Sequence, residues 1–287
     1  MDVYVEGVLV SISIFAILAA SLDLLIGFTG LFTIAQAAVF GVGAYGSALT
    51  AQWLGVGFWG GLVAGALLGA AISFVIALPA LRVTGDYLIL ASFAVQVVLY
   101  GLFLNLDITG GPSGVRRIPR PEAFGFVLQT PGEYLPLYAG IALVLVLFAW
   151  RLVRSPFGLM MAVIREDELL AEALGKRVAI TKVKVFVISG ILAGIAGSLY
   201  AHYFAFVDPD SFSVDISIFI LSMVLVGGMG TLWGPILGAV LLIAVPELLR
   251  FLPFEAGILG PLRQVVYGAI LVAFCFLRPS GIVGTGR

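Results

Sequence analysis

Charge is scarce in this 287-residue chain: Asp, Glu, Lys and Arg together make up 11% of it. Soluble domains carry about 25%. That shortage excludes a soluble globular enzyme and a disordered chain, neither of which can do without charged surface. With 15 Lys+Arg against 16 Asp+Glu the net charge is −1, so no basic field exists to hold nucleic acid. Cysteine and histidine occur once each, as Cys275 and His202. They can form no internal disulfide and no multi-ligand zinc site of the usual kind. No G-x-x-x-x-G-K-S/T sequence occurs, so the chain has no P-loop of its own. The first residues, Met1-Asp2-Val3-Tyr4-Val5-Glu6, carry acids where a secretory leader carries bases, and the first apolar run is expected to be retained.

What fills the space is apolar: 61% of the residues are hydrophobic. A membrane-spanning helix needs roughly 20 such residues. Apolar segments run over about 7–26, 33–54, 58–80, 87–105, 135–152, 184–206, 216–230, 233–252 and 261–277. The seventh is short enough for a re-entrant or broken helix. Continuous runs of this kind are not the alternating pattern of an outer-membrane barrel. The expected fold is therefore an all-α polytopic membrane protein. It has about nine transmembrane or partly re-entrant helices in one domain over 1–287.

Seven of the 15 basic residues, Arg151, Arg154, Arg165, Lys176, Arg177, Lys182 and Lys184, fall between 151 and 184. Cytoplasmic loops gather Lys and Arg, so this connection is expected inside, the N-terminus outside and the C-terminus inside. Within it, Asp167 can cap a short helix whose Leu169, Leu170, Ala173 and Leu174 share one face, with Gly175 as the stop. An apolar face presented in water suits either a soluble partner or the lipid interface.

Glycine marks close helix approach. Gly57, Gly61, Gly65 and Gly69 recur every four residues, Gly190 and Gly194 repeat the spacing, and so do Gly234 and Gly238. Gly41-Val42-Gly43-Ala44-Tyr45-Gly46 spells a dinucleotide fingerprint, but it lies inside an apolar span with no acid before Asp86, which argues against a dinucleotide. Gly111-Pro112-Ser113-Gly114 matches the G-x-S-G of intramembrane serine proteases, with His202 as the conceivable base. The Val-Arg-Arg-Ile-Pro-Arg-Pro that follows Ser113 reads as extended loop, not as the helix such a serine begins.

Ionisable residues at membrane depth are functional candidates. Asp23 is one, suited to pairing with a base or capping a break; Glu247 and Arg250 read as a local helix-face pair. The polar groups left at depth are neutral: Thr33, Gln36, Ser73, Ser92, Gln96 and Ser222. Thr33, Gln36, Ser92, Gln96 and Ser222 are the candidates for lining a solute pathway.

Several blocks in order resemble the permease subunits of branched-chain amino acid (hydrophobic amino acid uptake) ABC importers, on the M side of that family. They are Gly27-Phe28-Thr29-Gly30 through Phe40-Gly41-Val42-Gly43-Ala44-Tyr45, Arg82-Val83-Thr84-Gly85-Asp86-Tyr87 and Thr109-Gly110-Gly111-Pro112-Ser113-Gly114. Ser155-Pro156-Phe157-Gly158 with Ala162–Glu168 and Ala171–Gly175, Gly227-Gly228-Met229-Gly230-Thr231 with Gly234-Pro235, and Arg278-Pro279-Ser280-Gly281 complete the series. The resemblance implies a non-catalytic permease with no cofactor of its own. It implies a second related permease, a pair of cytoplasmic ATPases that bind ATP, and a periplasmic solute-binding protein. It places a coupling helix at about Arg165–Gly175, with Arg165, Glu166, Asp167, Glu168, Leu169, Leu170, Glu172, Leu174 and Gly175 as the ATPase-coupling residues. It gives Gly110, Gly111, Ser113 and Gly114 a structural or docking role. Where family members read Gln and then Ser-Leu-Gly-His in the first block, this chain has Leu31 and Thr33-Ile34-Ala35-Gln36. That departure at pore depth widens the expected solutes from branched-chain amino acids to related amides, urea and carboxylates.

Overall fold

The computed structural model describes residues 2–83, 85–123 and 126–248, together with 268–269, 272 and 281–283. Most of the ninth expected span, Cys275, Arg250 and most of the Arg278–Gly281 block lie outside the described residues.

The chain folds as an all-α polytopic membrane protein. The α-helices bounded within the described residues are α1 (Asp2–Thr29), α2 (Gln36–Leu54), α3 (Phe58–Ala80), α4 (Asp86–Asn105), α5 (Pro131–Val153), α6 (Pro156–Glu166), α7 (Glu168–Ala173), α8 (Val178–Phe204), α9 (Val214–Gly227) and α10 (Trp233–Leu248). Among the described residues, α1, α3, α4, α5 and α8 are long and apolar enough to cross a membrane. The run expected over 216–230 becomes α9, only 14 residues long, too short to span alone.

The core forms around α1. Residues 16–27 are buried on every side, against α5, α8, α9 and α10. A helix apolar all round belongs at the centre of a bundle. Beside it, α2, α3 and α8 pack as a triple. The glycine ridge makes this possible: Gly61, Gly65 and Gly69 are all buried in α3. The ridge begins at Gly61 and not at Gly57, because Gly57 precedes the helix and faces open space.

The outer helices turn their bulk outward. In α4, Leu88, Ser92, Gln96 and Phe103 are buried, whereas Leu90, Phe93, Val97 and Val98 are exposed. In water that pattern would be inverted; in lipid, large aliphatics face out at no cost and small or polar groups face their neighbours.

Short extended pieces close the end of the bundle beyond α4. β1 (Val115–Arg116) pairs antiparallel with β4 (Phe206–Val207), and β2 (Glu122–Ala123) with β3 (Phe126–Val127). Gly114 permits the first pairing: it sits at φ +63°, and a Cβ there would run into the Val207 carbonyl.

Candidate functional site

Three groups of sequence-selected residues can be followed through the fold. The first surrounds the start of α2. Gly30, at φ +73°, ends α1, and residues 30–35 run without helical structure before α2 begins at Gln36. A helix start inside a bundle exposes N–H groups that need acceptors. Ala35, at the cap position, supplies none through its side chain. Other helices provide them. Ser92 Oγ accepts from Ile34 N at 3.0 Å, Ser217 Oγ from Ala37 N at 3.0 Å, and Gln96 Oε1 from Ala38 N at 2.7 Å. Thr33 Oγ1 accepts from Ala35 N at 3.2 Å. Gln96 Nε2 donates to the Phe212 carbonyl at 2.8 Å, and Gln36 Nε2 to Ser21 Oγ at 2.7 Å.

The structure thus brings Thr33, Gln36, Ser92 and Gln96 together around a broken helix. Ser222 instead donates to the Ile218 carbonyl of its own helix at 2.8 Å. Ser21 and Ser217 belong to the same network, which sequence reading missed; Ser217 is, with Ser222, one of two hydroxyls among the apolar residues of α9, the one signal available. A crevice lined by Thr33, Gln36, Ser73 and Phe186 is closed in this conformation. A helix start carries partial positive charge, which favours the carboxylate or carbonyl end of a polar solute.

The second group is the connection between α5 and α8. Ser155 caps α6, with Pro156 in its first turn. The expected helix over Arg165–Gly175 is divided at Asp167, whose φ of −155° is extended. Arg165 and Glu166 therefore end α6. Asp167 begins α7, its Oδ1 accepting from Leu170 N at 3.0 Å, and Gly175 stops it at φ +72°. Leu169, Leu170 and Leu174 are 77%, 53% and 63% exposed, whereas Ala171 is buried. Glu166, Glu172 and Gly175 are exposed as well. Glu168 turns the other way: its Oε1 lies 2.6 Å from Lys182 Nζ, on a lysine that is itself buried in α8. Lys182 also donates to the Ala80 carbonyl at 3.4 Å, tying the end of α3 to the same point. Arg165 is exposed as a residue, yet its guanidinium reaches α1 and donates from Nη1 to the Gly27 carbonyl. A polar hollow of about 90 Å³ lies between Thr29, Gly30, Arg165, Glu168 and Lys182.

This ion pair makes an asymmetric prediction. Glu168→Gln leaves a buried ammonium unpaired, whereas Lys182→Met leaves a carboxylate at the rim, where water reaches it. Glu168→Gln is expected to cost about 1–2 kcal/mol, reduced from the fully buried case because Glu168 is one-third exposed. Lys182→Met is expected to cost less. Thermal unfolding of the purified variants in detergent checks the order; the reverse order would contradict it.

The third group is the loop after α4. Gly110 and Ser113 are exposed, and Gly111 and Gly114 are half-buried. His202 does not meet Ser113. Its Nδ1 lies 2.7 Å from the Pro119 carbonyl, which can only accept, so Nδ1 donates. Nε2 lies 3.0 Å from Ser47 Oγ, which is 2.7 Å from Ser198 Oγ. A serine, a histidine and an orienting carbonyl are chemically a nucleophile's setting. Here Gly61 closes over it, with a Cβ position only 2.6 Å from Ser47 Oγ and 2.8 Å from Nε2. These contacts clasp the loop to α2, α3 and α8. Asp23 is buried in α1 and its Oδ1 accepts from Gly230 N at 2.9 Å. Glu247 receives a hydrogen bond from the Tyr4 hydroxyl. No cluster of His, Cys, Asp and Glu suited to a metal occurs among the described residues.

Comparison with known proteins identifies the family. The family described as branched-chain amino acid transport system / permease component matches residues 4–275. The high-affinity branched-chain amino acid transport system permease protein LivM of Salmonella typhimurium is 34% identical over 96% of this chain and 68% of its own length. LivM of Escherichia coli is 33% identical over the same shares. A probable branched-chain amino acid transport permease protein, LivH of Methanocaldococcus jannaschii, is 25% identical over 97% of this chain and 91% of its own. No solved structure matches the chain. The chain, a polytopic helical membrane protein, belongs to the branched-chain amino acid transport system permease family.

Proposed function

We propose that the chain is the membrane-spanning half-pathway of an ATP-driven importer in the bacterial inner membrane. It would carry a small polar solute inward by alternating access: a branched-chain amino acid or a related amide, urea or carboxylate. In this reading it works beside a second, related permease, takes solute from a periplasmic binding protein, and leaves ATP binding and hydrolysis to a pair of cytoplasmic ATPases. The observation that carries it is α7 and its cap: Leu169, Leu170 and, just after the helix, Leu174 are more than half exposed, on a helix anchored beneath by the Glu168–Lys182 pair. An exposed apolar face on a short helix between two long spans suits a docking surface. The broken start of α2 supports the solute half of the reading, since helix ends of this kind commonly face substrates in transporters.

Expression with the neighbouring transport genes and purification through this chain tests it. Co-purifying ATPases and uptake of labelled leucine, urea or acetamide that depends on internal ATP are the expected results. Uptake by this chain alone, driven by a proton or sodium gradient, would support an ion-coupled carrier instead. In the same preparation the orientation is testable. The basic 151–184 connection is expected in the cytoplasm, so a tag at the C-terminus should resist impermeant reagents from outside. Labelling of that tag in intact cells would reverse the topology.

A further inference from the structure

Asp23 has no exposed surface and only one of its carboxylate oxygens is used. Oδ1 takes the Gly230 N–H; no donor reaches Oδ2 among the described residues. A buried acceptor left without a partner costs about 1–3 kcal/mol, and more when charged. One helical turn along α1, the Gly27 carbonyl accepts from Arg165 Nη1. The three elements meet without a spacer. A Cβ on Gly27 would overlap Asp23 Oδ1 and Gly230 N, and a Cβ on Gly30 would lie 3.3 Å from Arg165 Cγ. A Cβ on Gly230, at φ +74°, would lie 2.8 Å from Arg165 Nη1. So the guanidinium lies along α1 between Gly30 and Gly27, next to the turn that holds Asp23, with further N–H donors to offer.

We propose that Asp23 and Arg165 form a latch. In this conformation Arg165 is held by the Gly27 carbonyl; in another state of the transport cycle its guanidinium shifts from that carbonyl to the Asp23 carboxylate, which lies against Gly27 and Gly230. The step gives Oδ2 its missing partner and pulls α6 and α7 with it. Because Asp23 also holds Gly230, the same step reaches the turn between α9 and α10. Motion at the cytoplasmic helices is thereby passed to both the broken α1–α2 connection and the α9–α10 turn. Both positions of the arginine are hydrogen-bonded, so the element has discrete states instead of a continuous slide. The latch rests on the importer reading, because it needs something outside the chain to move α6 and α7.

The test uses the assembled transporter, with its ATPases and binding protein, in liposomes. Asp23→Asn keeps an acceptor for Gly230 and removes the charge; Arg165→Gln removes the other partner. Each is expected to lower leucine uptake about tenfold, and the double variant no further, because the two residues act as one unit. Losses that multiply to about a hundredfold would overturn the latch. A second measurement stands if uptake is lost through poor assembly. With Cys275→Ser, the pair Asp23→Cys and Arg165→Cys is treated with a short thiol cross-linker, with and without a non-hydrolysable ATP analogue. Cross-linking several-fold higher with the analogue is expected; yield indifferent to nucleotide overturns the proposal. An unsubstituted complex that imports nothing with ATP fails the importer reading itself, whereas normal import with multiplying losses fails the latch alone.

Discussion

Gly194→Ala is expected to remove most of the folded permease, although it adds a single methyl group. In α8 a Cβ at Gly194 would overlap the Gly65 carbonyl oxygen and come within 3.2 Å of Gly69 Cα. The contact is reciprocal: a Cβ on Gly69 would meet the Gly190 carbonyl, and one on Gly43 would lie 2.5 Å from Gly194 Cα and its carbonyl oxygen. Three helices therefore touch backbone to backbone at one level, and no flexible side chain can yield. Overpacking of side chains costs about 1–3 kcal/mol. Against backbone in all directions the helices must part, which also opens the Ser47–Ser198–His202 hydrogen bonds beside the crossing. A loss of about 3 kcal/mol or more is expected, a large share of the 5–15 kcal/mol that holds a typical domain together. The readout is the melting temperature in detergent and the amount recovered from the membrane. Gly101→Ala and Gly140→Ala are the controls. Neither has an atom within 4 Å of the new Cβ, and both sit within helices. They should be neutral or stabilising by about 0.5–1 kcal/mol, since alanine favours helix more than glycine does. Equal losses at Gly101 and Gly194 would refute the packing account.

Five of the expected spans, α1, α3, α4, α5 and α8, were legible as long apolar helices because in lipid a run of about 20 apolar residues is satisfied as helix. The runs expected over 33–54, 216–230 and 233–252 give α2, α9 and α10, which among the described residues do not reach that length and hydropathy. Which spans lie at the centre was not legible. α1 and α5 read alike as sequence, yet Ala16–Ile26 is buried throughout while Leu143, Val144, Leu147 and Phe148 of α5 face outward. Hydrophobicity carries no such information when the surroundings are as apolar as the core. Small and polar residues did carry it. Gly61, Gly65, Gly69 and Ser73 trace the buried edge of α3, and Ser92 and Gln96 that of α4. Their partners remained hidden, because each hydrogen bond joins positions far apart in the chain: Ser92 to Ile34, Ser217 to Ala37, Ser47 to His202. The Ser113–His202 pairing failed for the same reason. A motif names a residue type at a spacing, and the fold gave the histidine a different serine. Asp167 and Gly175 were legible because helix caps act within a few residues. Glu168 was misjudged as equivalent to its neighbours: its bonding partner, Lys182, is 14 residues on, across the next helix start.

That distinction separates folding from coupling in α7. Leu170→Asp with Leu174→Asp is expected to abolish ATP-driven uptake while leaving the melting temperature of the permease unchanged. Both leucines are more than half exposed and contribute little to the fold. Burying a leucine at a docking surface is worth about 1.5–3 kcal/mol, so losing two weakens the complex with the ATPases by about a hundredfold or more. Glu168→Gln acts by another route. It loosens the platform from Lys182 and the Ala80 carbonyl, so it should lower stability and uptake together. The measurements are uptake, ATPase co-purification and melting on the same membranes. If the double aspartate variant still retains its ATPases and imports normally, α7 is not the docking element. If it melts early, the leucines are holding this chain together, and the assignment of α7 to a partner fails for that reason instead.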